Sequence, residues 1–219
     1  MDTRSSLIKI VLLLFISGNA LAIFAQAKIT DTRYGVGNPE KEAMTRNSVK
    51  SLNPEPLLLD YDVKFYGLDV EVDNRSDLIQ GSVTVLVQVQ NNPLSTFVLE
   101  LTGSLEVDLV EVNGAEQSFT QQDEELRITL ETPVDTGQYL TAKIYYGGRT
   151  GEGMVNEVDN NWGVPVTFTL SEPFYAKDWF PCKENLSDKA DSVHVFITTD
   201  YGLKGVSQGI LTGTTYFPN

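Results

Sequence analysis

From Leu57 onward apolar residues recur at every second position, and no stretch carries an apolar stripe of helical period over four turns. Such alternation turns every other side chain to one face, which is what a strand half-buried in a sheet requires. Tyr61, Val63 and Phe65 share a face; after Tyr66-Gly67 the phase slips to Leu68, Val70 and Val72, which predicts a β-bulge beside the glycine. Further strands are expected over 83–89, 97–101, 105–112, 126–130, 140–146, 164–170, 193–198 and 206–211. Turn chemistry separates them: Asn91-Asn92-Pro93, the segment 133–137, and Asn113-Gly114, a pair at which positive φ is cheap. Gly147-Gly148 is expected to stop its strand. The fold class is therefore all-β, an antiparallel β-sandwich or curved antiparallel sheets.

The N-terminus follows a different rule. Arg4 and Lys9 precede an apolar run from Ile10 to Ile16, and small-residue exits follow at Ala20-Leu21-Ala22 and Ala25-Gln26-Ala27. That is the layout of a secretory signal peptide, too short in its apolar part for a comfortable membrane span; a retained anchor is the alternative. The expected division is a signal peptide over 1–27, a polar linker or lead-in over 28–56 (with room for a short helix near Glu40–Met44), and a β-sandwich domain over 57–219. The protein is expected to be exported, periplasmic or secreted, with no membrane association once the signal is cleaved.

The formal net charge is −14, and removing 1–27, which carries Asp2, Arg4 and Lys9, leaves the remainder one more negative. An excess of that size disfavours nucleic acid or an anionic membrane as partner, since both demand basic patches. The lone Cys182 cannot form an internal disulfide, so the domain must be held by its core. A domain of about 160 residues buries roughly 70% of its unfolded surface, which suffices. Cys182, beside Pro181 and aromatics, reads as a small buried hydrophobe. His194, between Val193 and Val195, reads as a structural strand residue sharing a face with Phe196. The stretch from Met154 to Asn161 reads as a loop rich in oxygen ligands (Asn156, Glu157, Asp159, Asn160, Asn161) but lacks EF-hand spacing; calcium there competes with a plain solvated loop.

Phe168 to Asp191 is the most informative stretch. Val166, Phe168 and Leu170 alternate into Ser171-Glu172-Pro173, so a carboxylate stands where a strand ends, and Tyr175, Trp179, Phe180 and Pro181 wall the turn that follows. A strand-end carboxylate among aromatics can receive a cation, or can simply bond nearby backbone amides. Trp179 and Phe180 read as core or interface anchors. Asp188, Lys189 and Asp191 read as structural charges before a strand, forming exposed pairs of small value.

The residues Glu172-Pro173, Ala176-Lys177, Trp179-Phe180-Pro181-Cys182 and Asp188-Lys189-Ala190-Asp191, with Tyr61-Asp62-Val63 opening the first strand, resemble the N-terminal domain of the M1 family of zinc aminopeptidases, the aminopeptidase N-like enzymes. The resemblance covers roughly 60–219. It implies the leading β domain of an exported metallo-aminopeptidase that removes residues from peptide N-termini. The family's zinc helix, His-Glu-x-x-His, has no counterpart here, for the chain holds one histidine. No catalytic residue, metal ligand or cofactor is therefore assigned to this chain. Zinc is expected in a catalytic domain beyond Asn219, which would be both the domain's partner and the reason the chain reads as interrupted there. By the resemblance, Glu172 captures the α-ammonium at the substrate's N-terminus. Many relatives carry a Gln two residues earlier, where this chain has Leu170, so one substrate contact that the resemblance implies is absent. Two alternatives stand beside this reading: a standalone exported β-sandwich module that binds peptide termini or glycan, and a structural β domain whose acidic loops bind calcium.

Overall fold

The computed structural model describes residues 7–15 (backbone only), 55–158, 161, 163–171 and 174–217. Among them every regular element is a strand, apart from two short 3₁₀ turns at Pro56–Leu59 and Ala176–Asp178. In chain order the strands are β1 (Leu7–Phe15), β2 (Tyr61–Val72), β3 (Leu78–Val89), β4 (Leu94–Glu100), β5 (Leu105–Val112), β6 (Ala115–Glu116) and β7 (Phe119–Gln122). They continue with β8 (Glu125–Val134), β9 (Tyr139–Arg149), β10 (Met154–Glu157), β11 (Val166–Thr169), β12 (Ser192–Asp200) and β13 (Ile210–Tyr216).

An eight-stranded sheet runs in the order β13-β1-β12-β2-β3-β9-β5-β6, a three-stranded sheet in the order β4-β8-β7, and β10-β11 form a separate ribbon. The alternation read from the sequence is what fills the space between the two larger sheets. Val83, Val85 and Val87 of β3 and Leu140, Ala142 and Ile144 of β9 are fully buried, facing Phe97, Leu99, Leu126 and Ile128 of the smaller sheet in one continuous core. Tyr61 bridges the layers: its ring meets Phe97 edge-on at 4.9 Å and its hydroxyl donates to the Val98 carbonyl at 2.6 Å. An aromatic with both an apolar payload and a satisfied hydroxyl is well suited to such a position.

Four details differ from the sequence reading. The sheet is mixed, because β12 runs parallel to β2, a pairing that needs a long crossover and leaves no local sequence mark. The bulge in β2 falls between Val63 and Phe65 and not at Gly67, although the change of buried phase to Leu68 and Val70 is as expected. Gly147-Gly148 does not stop β9, which continues to Arg149. A Cβ at Gly148, whose φ is +140°, would stand 2.6 Å from the Ser104 carbonyl oxygen, so the residue permits close approach of the entry to β5. The last strand begins at Ile210, after an extended stretch containing Val206.

Of the lead-in expected over 28–56, residues 28–54, with the helix considered near Glu40–Met44, lie outside the described residues. A 3₁₀ turn at Pro56–Leu59 leads into β2. Leu7–Phe15, part of the segment read as a signal peptide, forms the strand β1 between β12 and β13. A run of Ile, Val, Leu and Phe has the composition of a buried strand as well as that of a leader's apolar part.

Candidate functional site

Glu172 and Pro173 lie outside the described residues, but the chain on both sides of them is held closely. Upstream, β11 pairs with β10 from Met154↔Thr169 to Glu157↔Val166, and the Leu170 N–H donates to the Gly153 carbonyl at 2.8 Å. Met154–Glu157 is thus a strand and not the oxygen-rich loop expected. The Asn156 side-chain amide donates to the Thr167 hydroxyl at 2.7 Å, while Asp159 and Asn160 of the calcium reading lie outside the described residues. The alternation of Val166, Phe168 and Leu170 does not point into the core either, for Phe168 is 40% and Leu170 47% exposed. Among the described residues no second layer covers this two-stranded ribbon, so it carries apolar side chains to the surface.

Ser171 closes this side. Its carbonyl accepts the Tyr175 N–H at 3.4 Å and its hydroxyl accepts the Trp179 indole N–H at 3.0 Å. Ser171 is in this way tied to Tyr175 and Trp179. Phe174 takes a φ of +69°, unusual for a bulky residue and costing of order 1–3 kcal/mol unless the surroundings impose it.

Downstream, the 3₁₀ turn Ala176–Asp178 is a buried polar post. Lys177 is 4% exposed, and its hydrogen-bonding groups are all engaged: the N–H donates to Glu184 Oε1 at 3.1 Å, the carbonyl accepts the Thr102 N–H at 3.0 Å, and Nζ meets Glu124 Oε2 at 3.2 Å. Asp178 Oδ2 accepts the Gly153 N–H at 3.1 Å, and the Asp178 carbonyl accepts the Gly151 N–H at 2.9 Å. Gly153 has to be glycine, because a Cβ there would stand 2.1 Å from the Tyr175 carbonyl oxygen. The connection from β9 to β10 is in this way clasped against the turn after Glu172.

The segment Trp179–Cys182 seats the turn on the core. Tyr146 donates its hydroxyl to the Trp179 carbonyl at 3.0 Å; Phe180 is buried, tilted on Trp179 at 4.4 Å and edge-on to Tyr66 at 5.7 Å. Cys182 exchanges both backbone hydrogen bonds with Glu100, at 2.7 and 3.0 Å. It is buried, as read, and burial pushes its thiol well above the ordinary range, helped by the charges of Glu184 and Glu100. A neutral, enclosed thiol is no nucleophile.

Electrostatics at the post are unusual. Burial raises the Glu184 carboxyl from 4.5 to about 7; the N–H groups of Lys177 and Ala176 and the Lys177 charge pull the other way, and Glu100 adds to the rise. Burial opposes the charge on Lys177, but Glu124, Glu184 and Glu100 outweigh it, so its pKa stands above the usual lysine value. Burial also raises the Asp178 carboxyl, against the Gly153 N–H.

Asp188 departs from its reading as half of an exposed pair. Its carboxylate meets Lys183 Nζ in a pair whose side chains are 11% and 3% exposed, and it accepts the Val63 N–H at 3.3 Å. Lys183 Nζ also donates to the Tyr61 carbonyl at 2.7 Å and sits 4.5 Å from the centre of the Tyr61 ring. Asp191 does match its reading, with a side chain 71% exposed and 3.9 Å from Lys64 Nζ. His194 packs edge-on against Phe65 at 4.9 Å. Among the described residues no group of three or more His, Cys, Asp or Glu is placed to hold a metal ion. A histidine packed on an aromatic ring and a buried thiol do not fit a zinc site.

Lys177, Asp178, Glu124 and Glu184 were not singled out by their chemistry in the sequence, since charged residues are by default on the surface. The spacing Gly151-x-Gly153 before a strand was the available signal of a close backbone approach.

Comparison with known proteins fits this architecture. No curated protein sequence matches the chain. Among solved structures, a mutant form of the M1 zinc metallopeptidase from Deinococcus radiodurans is similar at 28% identity and a TM-score of 0.51, over 60% of this chain and 30% of that one. The same enzyme's mutant bound to a Tyr-Ser-Ala substrate gives 26% and 0.50, over 60% and 31%. Leukotriene A4 hydrolase from Saccharomyces cerevisiae shares the fold at 22% identity and a TM-score of 0.51, over 60% and 22%. The chain thus spans less than a third of the length of these enzymes. Residues 61–205 match the family model described as the Peptidase M1 N-terminal domain, and the chain belongs to that family.

Proposed function

We propose that this chain is the N-terminal β domain of an exported, zinc-dependent M1 aminopeptidase that removes residues from peptide N-termini, with Glu172 receiving the substrate's α-ammonium. The family match carries the reading, because it encloses the Glu172 turn as well as the strands that frame it. A relative has been captured with a three-residue peptide substrate, which fits a peptide as the ligand. On this reading the domain is not catalytic alone: its described residues hold no cluster placed for a metal, and the zinc, which polarises the scissile carbonyl and activates water in such enzymes, is assigned to a catalytic domain.

The role assigned to Glu172 follows from elementary electrostatics. An internal peptide bond offers no cation, so a carboxylate fixed near the scissile bond selects for a free N-terminus. A charge-assisted hydrogen bond contributes about 1.5–3 kcal/mol, roughly one to two decades in affinity. The described chain on either side of Glu172 supports the reading: Ser171 bonds Tyr175 and Trp179, and the turn beyond is held by Lys177 and Asp178.

The deciding measurement is Glu172→Gln in the complete peptidase. It should raise KM and lower kcat/KM about ten-fold or more on free-amine peptides, with zinc content and folding unchanged. Wild-type constants would return Glu172 to a structural role. Export is tested separately: intact mass of the exported protein should place its first residue between Ala22 and Lys28, and a retained Met1 would refute cleavage.

A further inference from the structure

We infer that β1 is the apolar run of the signal peptide taken up into the sheet, so that a chain folded before export withholds its own signal from the membrane. The inference rests on the export reading for its consequence, and on strand pairing alone for its structural part.

β1 is paired on both edges. Leu7–Phe15 lies antiparallel to β12 over its whole length, from Leu7↔Asp200 to Phe15↔Ser192. On the other side it pairs with β13 from Ile8↔Tyr216 to Leu13↔Ile210, with an irregularity between Val11 and Leu12. β12 and β13 follow one another in the chain, yet they do not pair with each other: they leave a slot one strand wide, and β1 fills it. The far edge of β12 runs parallel to β2, with Val195 and Thr199 buried, so the slot is anchored on the core sheet. An open edge of this kind presents a row of N–H and C=O groups ready to pair with another strand.

The residues in the slot read Leu-Ile-Lys-Ile-Val-Leu-Leu-Leu-Phe, which takes in nearly all of the apolar run from Ile10 to Ile16. A run that enters a bilayer by itself has to satisfy its backbone internally, as a helix. Nine residues are about 13 Å long as a helix and about 30 Å as a strand. Each N–H and C=O serves one ladder or the other, so the two uses exclude each other. The order of synthesis decides which comes first. Both strands that bound the slot lie from Ser192 onward, so the run is free until they have been made, and it is captured in a chain that stays to fold. β1 thereby acts as a timing device: prompt export finds the signal open, and delayed export finds it closed.

The test uses the full 219-residue chain, purified and folded, with signal peptidase in detergent micelles. Val85→Asp, which puts a charge at a fully buried position of β3, supplies an unfolded chain whose signal is intact. The folded wild type should be cleaved at least about ten-fold more slowly than Val85→Asp, since cleavage waits for β1 to leave the sheet. Hydrogen exchange reads the strand directly: amides of Leu7–Phe15 should be protected in the folded chain. Val11→Pro separates pairing from apolarity, because proline keeps the run uncharged but is not accommodated in a strand paired on both edges. The folded Val11→Pro chain should be cleaved nearly as fast as Val11→Pro combined with Val85→Asp, with its β2-β3-β9 amides as protected as in wild type. Equal cleavage of wild type and Val85→Asp, unprotected amides over Leu7–Phe15, or a folded Val11→Pro chain as slow as wild type each overturns the inference. If Val11→Pro does not fold, the first two measurements decide. If Val85→Asp is not cleaved either, the signal-peptide reading fails and the consequence for export falls with it, and the exchange data alone decide whether Leu7–Phe15 is held as a strand.

Discussion

Replacing Glu184 by glutamine should stabilise the domain at alkaline pH, although it removes the partner of a buried lysine. The fold raises this carboxyl from 4.5 to about 7, so in the native state the proton is held more tightly than in the unfolded chain. Between those two values the unfolded chain has lost its proton and the folded one has kept it. Stability therefore falls as pH rises from 4.5 to about 7, and the full penalty is present above. The rise corresponds to about 3 kcal/mol at most. Lys177 is too weak a counterweight: it is shared with Glu124, and the burial of Glu184 and the like charge of Glu100 act against it. Glutamine keeps the oxygen that accepts the Lys177 N–H and never carries the charge.

The assay is urea unfolding of wild type and Glu184→Gln at several pH values, taking the difference at each so that other titrating groups cancel. The variant should be more stable by about 1–3 kcal/mol at pH 8.5. By pH 5.5 the advantage should be about half as large or less, because folded Glu184 is then protonated while the unfolded side chain is still mostly ionised. Lower pH is avoided, since the calculated isoelectric point is 4.4. A variant less stable than wild type by the same margin at both pH values would show that the ionised carboxylate is net favourable, and the argument from burial would be wrong.

Three further outcomes are expected. Cys182 should resist iodoacetamide at pH 8 in the native chain and react on unfolding, because burial raises its thiol and encloses it; rapid native alkylation would contradict both. Removal of residues 1–27 should leave β13 without the β1 strand that joins it to the sheet. The 28–219 fragment should then show fast exchange over 210–216 and concentration-dependent self-association through the exposed Ile210, Leu211, Tyr216 and Phe217; a clean monomer at high concentration in sedimentation would count against it. Asp188→Asn should cost about 3 kcal/mol, since it strands the nearly buried Lys183 cation, whereas the exposed Asp191→Asn should cost less than about 1 kcal/mol; equal costs would refute the distinction drawn from burial.

That last contrast marks where sequence reading stops. Period-two alternation identified β5 residue for residue and the apolar part of β3, β8 and β9, whose polar ends run further, because a strand packed on a core must present apolar side chains at every second position. The Asn113-Gly114 turn was legible for a similarly local reason, and both residues take positive φ, at +50° and +82°. The ribbon β10-β11 was not, since its alternation of Val166, Phe168 and Leu170 is that of a core strand while Phe168 and Leu170 are exposed. The parallel β2-β12 pair joins residues more than a hundred positions apart, and no local pattern encodes such a partner.

The charges near Glu172 were harder still. Asp188 and Asp191 look alike in sequence, three positions apart beside the same strand, yet one holds a buried lysine and the other faces water. What separates them is the bulge in β2 and the Lys183 side chain laid across Tyr61, both products of the assembled core. Lys177 is buried and Glu184 half-buried for the same kind of reason: the turn at 176–178 lies beside Thr102, Glu124 and the Gly153 approach, and its backbone needs partners that water cannot reach to supply. A cation-receiving carboxylate could be suspected from Glu172 and the aromatics around it. The cradle of charges that holds the chain on either side becomes visible only once the sheets have closed around it.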